Sequence, residues 1–394
     1  MVLALVRLIA EPSPQRAAAV RRQAESVDTD GVLDILAEQR LVSTLGRLLL
    51  RDPELELPEQ AAQRIRAAQL RARQHGLLNH GVTARLALAL GDIGIAAVPL
   101  KGAVLADAVY GDIGARQSSD IDLLVARADL DRAVEAAERQ GWREPELLKA
   151  GGLPRLHREL FHESLPPLEL HWRVHWYEES YADSALARAQ PADDGLLRLQ
   201  PADELVCLLL VLARDGFAGL RQTVDVAAWW AALGSDQTAA GVRAIANAHP
   251  QLERALTAAA RHAEDLAGLP QGALAGDVRL SHRQRAALRL ANPWLVGSRP
   301  QVRAEVSLLD GLLAPPGGAS AFVGRQLLLP RPVLVRRQPG LQSASPIRLG
   351  AARLNHAGRV LGRYVLSARA AFARPRATWP SAQRTYRTRV GPQR

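Results

Sequence analysis

Apolar positions recur at helical spacing through the first 92 or so residues, where Ala, Leu, Arg, Glu and Gln dominate. Pro53 and Pro58 divide this region, and the stretch from Pro58 to Ala89 predicts one long helix or a helix pair. The pattern changes near Gly91. Ile95 to Leu100 reads as a short buried strand with Pro99 near its end, Gly102 to Tyr110 as a helix closed by Gly111, and Ser119 to Val125 as a second strand. Asp129 to Gln140 is amphipathic at helical spacing, with an aspartate at its start and Gly141 just past its end. A third strand is expected from Trp142 onward. Two more are expected at Leu156 to Glu163 and Leu168 to Val174, joined by a turn containing Pro166 and Pro167.

From Pro201 to about Leu313 the spacing is helical again. Pro201 has no N–H to lose at a helix start, and Asp203 and Glu204 suit the positive end of the helix dipole. A Pro/Gly-rich break follows at Ala314 to Gly318, and Ile347 to Phe372 reads as a basic amphipathic helix. This succession predicts an α+β fold. Residues 1–92 form an N-terminal helical region, 93–178 a core of mixed sheet with helices, 200–313 a C-terminal helical region and 331–394 a basic tail.

The longest apolar run, Leu205 to Ala213, is nine residues, short of the ~18–20 needed to span a bilayer. The first ten residues carry Arg7 inside a short apolar stretch and make a poor secretion signal. A single cysteine, Cys207, excludes an internal disulfide framework and a cysteine-rich zinc site. A reducing, cytoplasmic location is expected.

The net charge of +10 on 394 residues is unevenly placed. Fourteen arginines and no acid lie between Arg331 and Arg394, and the last acid is Asp310. The first 330 residues carry 36 basic and 40 acidic side chains. Such a tail fits nucleic acid, an anionic membrane surface, an acidic partner or simple solubilisation. Of the 50 basic residues only Lys101 and Lys149 are lysines, as a GC-rich coding sequence would produce, so each lysine is a small flag that an ammonium is wanted.

The segment from Ser119 to Val125 carries the candidate chemistry. Along a strand Asp120, Asp122 and Leu124 share one face, and Ile121, Leu123 and Val125 the other. The aspartates' Cα atoms stand ~6.6–6.8 Å apart by strand rise. Their carboxylates can lean together on divalent metal, and hard oxygen donors suit Mg²⁺ or Mn²⁺. Asp-x-Asp also occurs at Asp28 and Asp30 and at Asp129 and Asp131, in a polar connection and at a helix start. A half-exposed strand can equally carry two solvated aspartates.

Upstream, Lys101-Gly102-Ala103 sits at a strand-to-helix junction, where glycine lets backbone approach a phosphate and the helix presents free N–H groups. Downstream, alternation places Glu169, His171 and Arg173 on one strand face, so Glu169 supplies a third carboxylate if that strand lies beside the aspartate strand. His171 and His175 are four apart, which separates them along a strand, and no third zinc ligand is evident. Arg221 and Asp225, at i and i+4, are expected to pair within a helix.

Lys101-Gly102, Arg116, Asp120-Ile121-Asp122 and Glu169-Leu170-His171-Trp172 together resemble an uncharacterised bacterial nucleotidyltransferase family of the DNA polymerase β superfold, over roughly residues 95–230. The resemblance implies a polymerase-β-like core in which Gly102 belongs to the nucleotide-binding turn and Asp120, Asp122 and Glu169 hold Mg²⁺ or Mn²⁺. Lys101 and Arg116 become candidate phosphate contacts, Arg116 being otherwise a surface charge. The chain departs from the superfold's usual pattern in Ala103 after the glycine, in the longer gap to Asp120 and in a glutamate as third carboxylate.

The implied reaction transfers a nucleotidyl group from a nucleoside triphosphate to an acceptor and releases pyrophosphate. A small molecule, peptide or protein is favoured as acceptor over RNA. The alternative is a catalytically silent nucleotide-binding or scaffold module that docks on an anionic partner through its basic tail. A nucleic-acid-binding protein is a third reading, and it requires steep salt dependence carried by residues 331–394.

Overall fold

The computed structural model describes residues 1–145, 155–296, 300–318 and 327–372. The chain opens with helices α1 (Val2–Ala10), α2 (Pro14–Ala24), α3 (Thr29–Glu38) and α4 (Arg47–Arg51), then α5 (Glu59–Gly91). Local signals start them: the Ser13 side chain accepts the Arg16 N–H, and the Asp28 carboxylate accepts those of Asp30 and Gly31. The stretch after Pro58 is one helix of 33 residues rather than a pair.

Among the described residues four short strands follow, interleaved with two α-helices: β1 (Ala97–Pro99), α6 (Ala103–Tyr110), β2 (Ile121–Val125), α7 (Leu130–Arg139), β3 (His157–Leu160) and β4 (Leu168–His171). Their order in the sheet is β1-β2-β4-β3. β2 and β4 run parallel, while β1 with β2 and β3 with β4 are antiparallel, so this α+β fold has a mixed sheet.

Alternation sorts the two faces of the sheet. Ile121, Leu123, Val125, Leu168 and Leu170 pack with Leu86 and Leu90 of α5 and with Leu130, Val134 and Ala137 of α7. Val98 and Leu124 face the opposite side, into the core built by the helices that follow the sheet.

Some elements are shorter than their patterns suggest. Pairing of β2 begins at Ile121, whose N–H donates to the Pro167 carbonyl, which leaves Asp120 just ahead of the strand. β4 ends at His171 because the chain then turns so that the Val174 and His175 N–H groups donate to the buried Glu178 carboxylate. Near Trp142, Arg143 forms a single bridge with Phe161. The rest of that expected strand includes residues 146–154, outside the described residues.

Beyond the sheet come α8 (Tyr181–Ala187), a hairpin of β5 (Gln190–Pro191) and β6 (Leu197–Arg198), and helices α9 (Pro201–Arg214), α10 (Arg221–Leu233), α11 (Asp236–Ala248), α12 (Glu253–Ala267), α13 (His282–Leu290), α14 (Pro300–Leu313), α15 (Arg331–Arg337) and α16 (Pro346–Phe372). The nine-residue apolar run lies in α9, with Leu205, Leu209, Leu210 and Leu212 fully enclosed. Among the described residues no helix is long and apolar enough to cross a membrane.

The cores do not follow chain order. Leu220, Val224 and Ala227 at the start of α10 pack with Leu5, Leu33, Leu36 and Leu45 of the N-terminal helices. The N-terminal helices and a helix from the middle of the chain, beyond the sheet, therefore share apolar interior. On α16, Ile347 and Leu354 are 86% and 76% exposed while Leu349 is buried.

One buried group gives stability a pH dependence. His262 of α12 stacks on Phe217 with ring centroids 4.8 Å apart, and burial pushes its pKa down to about 4. The unfolded chain protonates this histidine near pH ~6.5, while the folded chain keeps it neutral. Its contribution is complete above that value and is lost as pH falls toward about 4. Stability is expected to drop by up to ~3 kcal/mol from this group across that window. His262→Phe should flatten the decline, as read by urea unfolding at a series of pH values.

Candidate active site

The register of the sheet builds the site. Asp122 lies opposite Glu169 across the parallel β2–β4 pair, and Glu169 lies opposite Glu159 across β4–β3. Directly opposed residues share a face, so Asp122, Glu169 and Glu159 form one row. The next row is Val98, Leu124, His171 and His157. Neighbouring strands are ~4.8 Å apart, so these carboxylates and imidazoles are forced into contact.

His171 Nε2 stands 3.0 Å from Asp122 Oδ1 and 3.1 Å from Glu169 Oε2. Lys101 Nζ, from the turn after β1, is 3.2 Å from Asp122 Oδ1. His157 Nδ1 is 3.7 Å from Glu169 Oε2, and its ring meets that of His171 at a 54° tilt with centroids 4.7 Å apart. The side chain of Asp122 is 1% exposed, whereas those of Lys101 and Glu169 are each 21% exposed. The cluster thus has a buried floor and an open rim.

Charge balance explains the protonation states. Burial alone would raise the pKa of Asp122, but the Lys101 ammonium and the His171 hydrogen bond outweigh it and hold this carboxyl well below its ordinary range. Burial opposes the charged form of Glu169 too, and the hydrogen bond from His171 reverses that, so its pKa is lowered. His171 is shifted up, because its bonds to Asp122 and Glu169 exceed the cost of burial. His157 is pushed down to about 4 by burial and by the charge of His171.

Asp120 is half-buried, and among the described residues its carboxylate makes no hydrogen bond or ion pair. Burial, Glu169 and Asp120 together raise the pKa of Glu159, so both carboxylates lie within electrostatic reach of it. The glycine turn presses against the approach to β2. Gly102 has φ +84°, open only to glycine at its ψ of −138°, and an added Cβ would sit 3.3 Å from Ser118 Oγ. Ser118 Oγ in turn donates to the Asp120 carbonyl. Gly102 caps α6 with no side-chain acceptor, so the first N–H groups of that helix keep their donors.

The donor set suits a divalent cation. Asp122 Oδ2 is buried without a hydrogen-bond partner, as are Nδ1 of His171 and Nδ1 of His157. A buried carboxylate oxygen left unpartnered is costly, and a hard cation satisfies it. Among the described residues the three donors brought within 4.8 Å of one another are His157, Glu169 and His171, and neither Asp120 nor Asp122 falls within that group.

Arg116 is placed differently from the others. Its Nε and one terminal nitrogen fork onto the buried Asp225 carboxylate at 2.9–3.1 Å, and Tyr110 donates to the same group at 3.1 Å. The expected pairing of Asp225 with Arg221 is replaced by this fork. Arg221 instead donates to the Gln117 carbonyl at 2.7 Å. A planar guanidinium meeting a carboxylate in two places makes a stronger pair than a single contact along a helix. Arg116 therefore clamps the loop before β2 onto α10.

Three site residues escaped sequence reasoning. Glu159 and His157 belong to a strand with poor alternation, and only the β3–β4 register aligns them with Glu169 and His171. Arg214, at the end of α9, lines a cavity with Lys101, His171, Val174, Cys207 and Val211. Burial opposes its charge, while Asp215, Asp122 and Glu169 support it and raise its pKa. Its only signal was a basic residue closing a buried apolar run. His175 interacts with Tyr177 rather than joining the cluster. Residues 373–394 of the basic tail lie outside the described residues.

Comparison with protein families matches residues 25–268, more than half of the chain, to a family described as uncharacterised nucleotidyltransferase. A search of curated proteins finds no match.

Asp225→Ala is expected to destabilise the fold by ~3–5 kcal/mol, because it strands the buried Arg116 guanidinium. Tyr110→Phe, which removes one hydrogen bond to the same carboxylate, should cost ~1 kcal/mol. Denaturant unfolding of the two variants separates these outcomes.

Proposed function

The chain belongs to that nucleotidyltransferase family, and from this premise we propose that the Asp122–Glu169 cluster transfers a nucleotidyl group from a nucleoside triphosphate to an acceptor. The single observation carrying this reading is the opposition of Asp122 and Glu169 on adjacent parallel strands beside the Lys101–Gly102 turn. An acceptor hydroxyl or similar nucleophile attacks the α-phosphorus in line and loses its proton to solvent, the bond to the α–β bridging oxygen breaks, and pyrophosphate takes the electron pair and leaves. A divalent ion, Mg²⁺ or Mn²⁺, held by Asp120, Asp122 and Glu169 supplies charge neutralisation on the phosphates when bound.

The chain's own residues do the rest. The Gly102 turn admits phosphate oxygens to backbone N–H groups at the start of α6. Lys101, half-exposed at the rim, gives the triphosphate a point charge. Arg214 contributes a second positive charge from the cavity wall. Arg116 acts through the loop it fixes onto α10, which holds Asp120 and Asp122 in position. The acceptor is a small molecule, peptide or protein in preference to RNA.

Incubation of the protein with each labelled triphosphate, Mg²⁺ and a cell extract, followed by mass spectrometry, should reveal a nucleotide-sized addition with matching pyrophosphate. Asp122→Asn is expected to lower the rate by about 100-fold or more, since charge stabilisation at the reacting phosphate is lost. Nucleotide binding with no pyrophosphate from any triphosphate would favour the silent docking module.

A further inference from the structure

We propose that His157, Glu169 and His171 form a mixed nitrogen–oxygen metal site that selects a borderline transition ion, of the Zn²⁺ class, over Mg²⁺. The inference rests on Glu169 serving as an ion ligand in the reading above, and it is independent of nucleotidyl transfer itself. One ligand atom from each of the three residues lies within 4.8 Å of the other two. Glu169 Oε2 is 3.1 Å from His171 Nε2 and 3.7 Å from His157 Nδ1. Four-coordinate ions with bonds of ~2.0–2.1 Å hold their donor atoms about 3.3–3.5 Å apart, so both separations bracket what such an ion requires. Asp122 Oδ1 lies 3.0 Å from His171 Nε2 but outside this group of three, so the fourth position is left to water or substrate.

The site is built into the sheet rather than assembled from mobile side chains. His157 and His171 are register partners across β3–β4, and their rings meet at a tilt with centroids 4.7 Å apart. His157 Nδ1 is buried with no hydrogen-bond partner, a donor atom withdrawn from water and left unused by the protein. Imidazole nitrogen discriminates strongly between ions. It suits Zn²⁺, Co²⁺ and related metals, whereas Mg²⁺ demands oxygen and an octahedral shell of water. A carboxylate row alone would favour Mg²⁺, and the histidine row beside it shifts the preference. The carboxylates of Glu169 and Asp122 balance the charge of a dication, which directs Lys101 and Arg214 toward phosphate.

Chelator-stripped full-length protein, titrated without nucleotide, is expected to bind one Zn²⁺ per chain at least about tenfold more tightly than Mg²⁺. Co²⁺ in the same protein should give the intense visible bands of a four-coordinate site. His157→Gln should weaken Zn²⁺ by about tenfold or more and alter the Co²⁺ bands, with an unchanged far-UV spectrum certifying its fold. Unchanged Zn²⁺ affinity in a folded His157→Gln protein overturns the inference. So do weak, six-coordinate Co²⁺ bands in the unaltered protein, a measure that needs no variant. A protein that binds Mg²⁺ as tightly as Zn²⁺ yet releases pyrophosphate overturns this inference and leaves nucleotidyl transfer standing.

Discussion

Two ionised carboxylates set side by side in a poorly solvated place need positive charge to hold them. The parallel pairing of β2 with β4 imposes that condition on this fold, since it sets Asp122 against Glu169 at the spacing of adjacent strands. The protein meets the condition with Lys101 from one side and His171 from between the acids. The remaining architecture serves the same pairing. α5 and α7 cover the apolar face of the sheet, and α9 walls the polar face with Arg214 at its end. The charged cluster is thereby kept dry on one side and open on the other, and electrostatic interactions gain strength where water is excluded.

Much of this was legible in the sequence. Strict alternation from Ile121 to Val125 assigns the two faces of β2, and the packing of Ile121, Leu123 and Val125 against α5 and α7 agrees with it. The polar face of Glu169 and His171 was equally readable, because Leu168 and Leu170 alternate with them. Glycine punctuation also carried information: Gly111 ends α6 in the left-handed conformation that helix closure favours.

What stayed hidden depends on pairing across distance. No local pattern tells that Arg116 meets Asp225, 109 positions later, instead of Arg221 meeting it one turn away. His157 and Glu159 gain meaning only from the β3–β4 register, which the intervening loop and turn set. The division of the chain into successive regions likewise misses that α10 packs into the N-terminal core. Local periodicity reports which face of an element is apolar and is silent about which partner covers it.

The margin of the sheet has its own consequence. The Leu100 N–H donates to the Asp122 carbonyl, and amides alternate in direction along an antiparallel strand. The nitrogen of Pro99 therefore points away from β2, so the missing proline N–H costs the sheet no hydrogen bond. Proline is thereby tolerated in a strand buried along its whole length, at the border nearest the glycine turn. The fixed φ of proline also holds the chain in one backbone conformation as it enters the turn that carries Lys101 and Gly102.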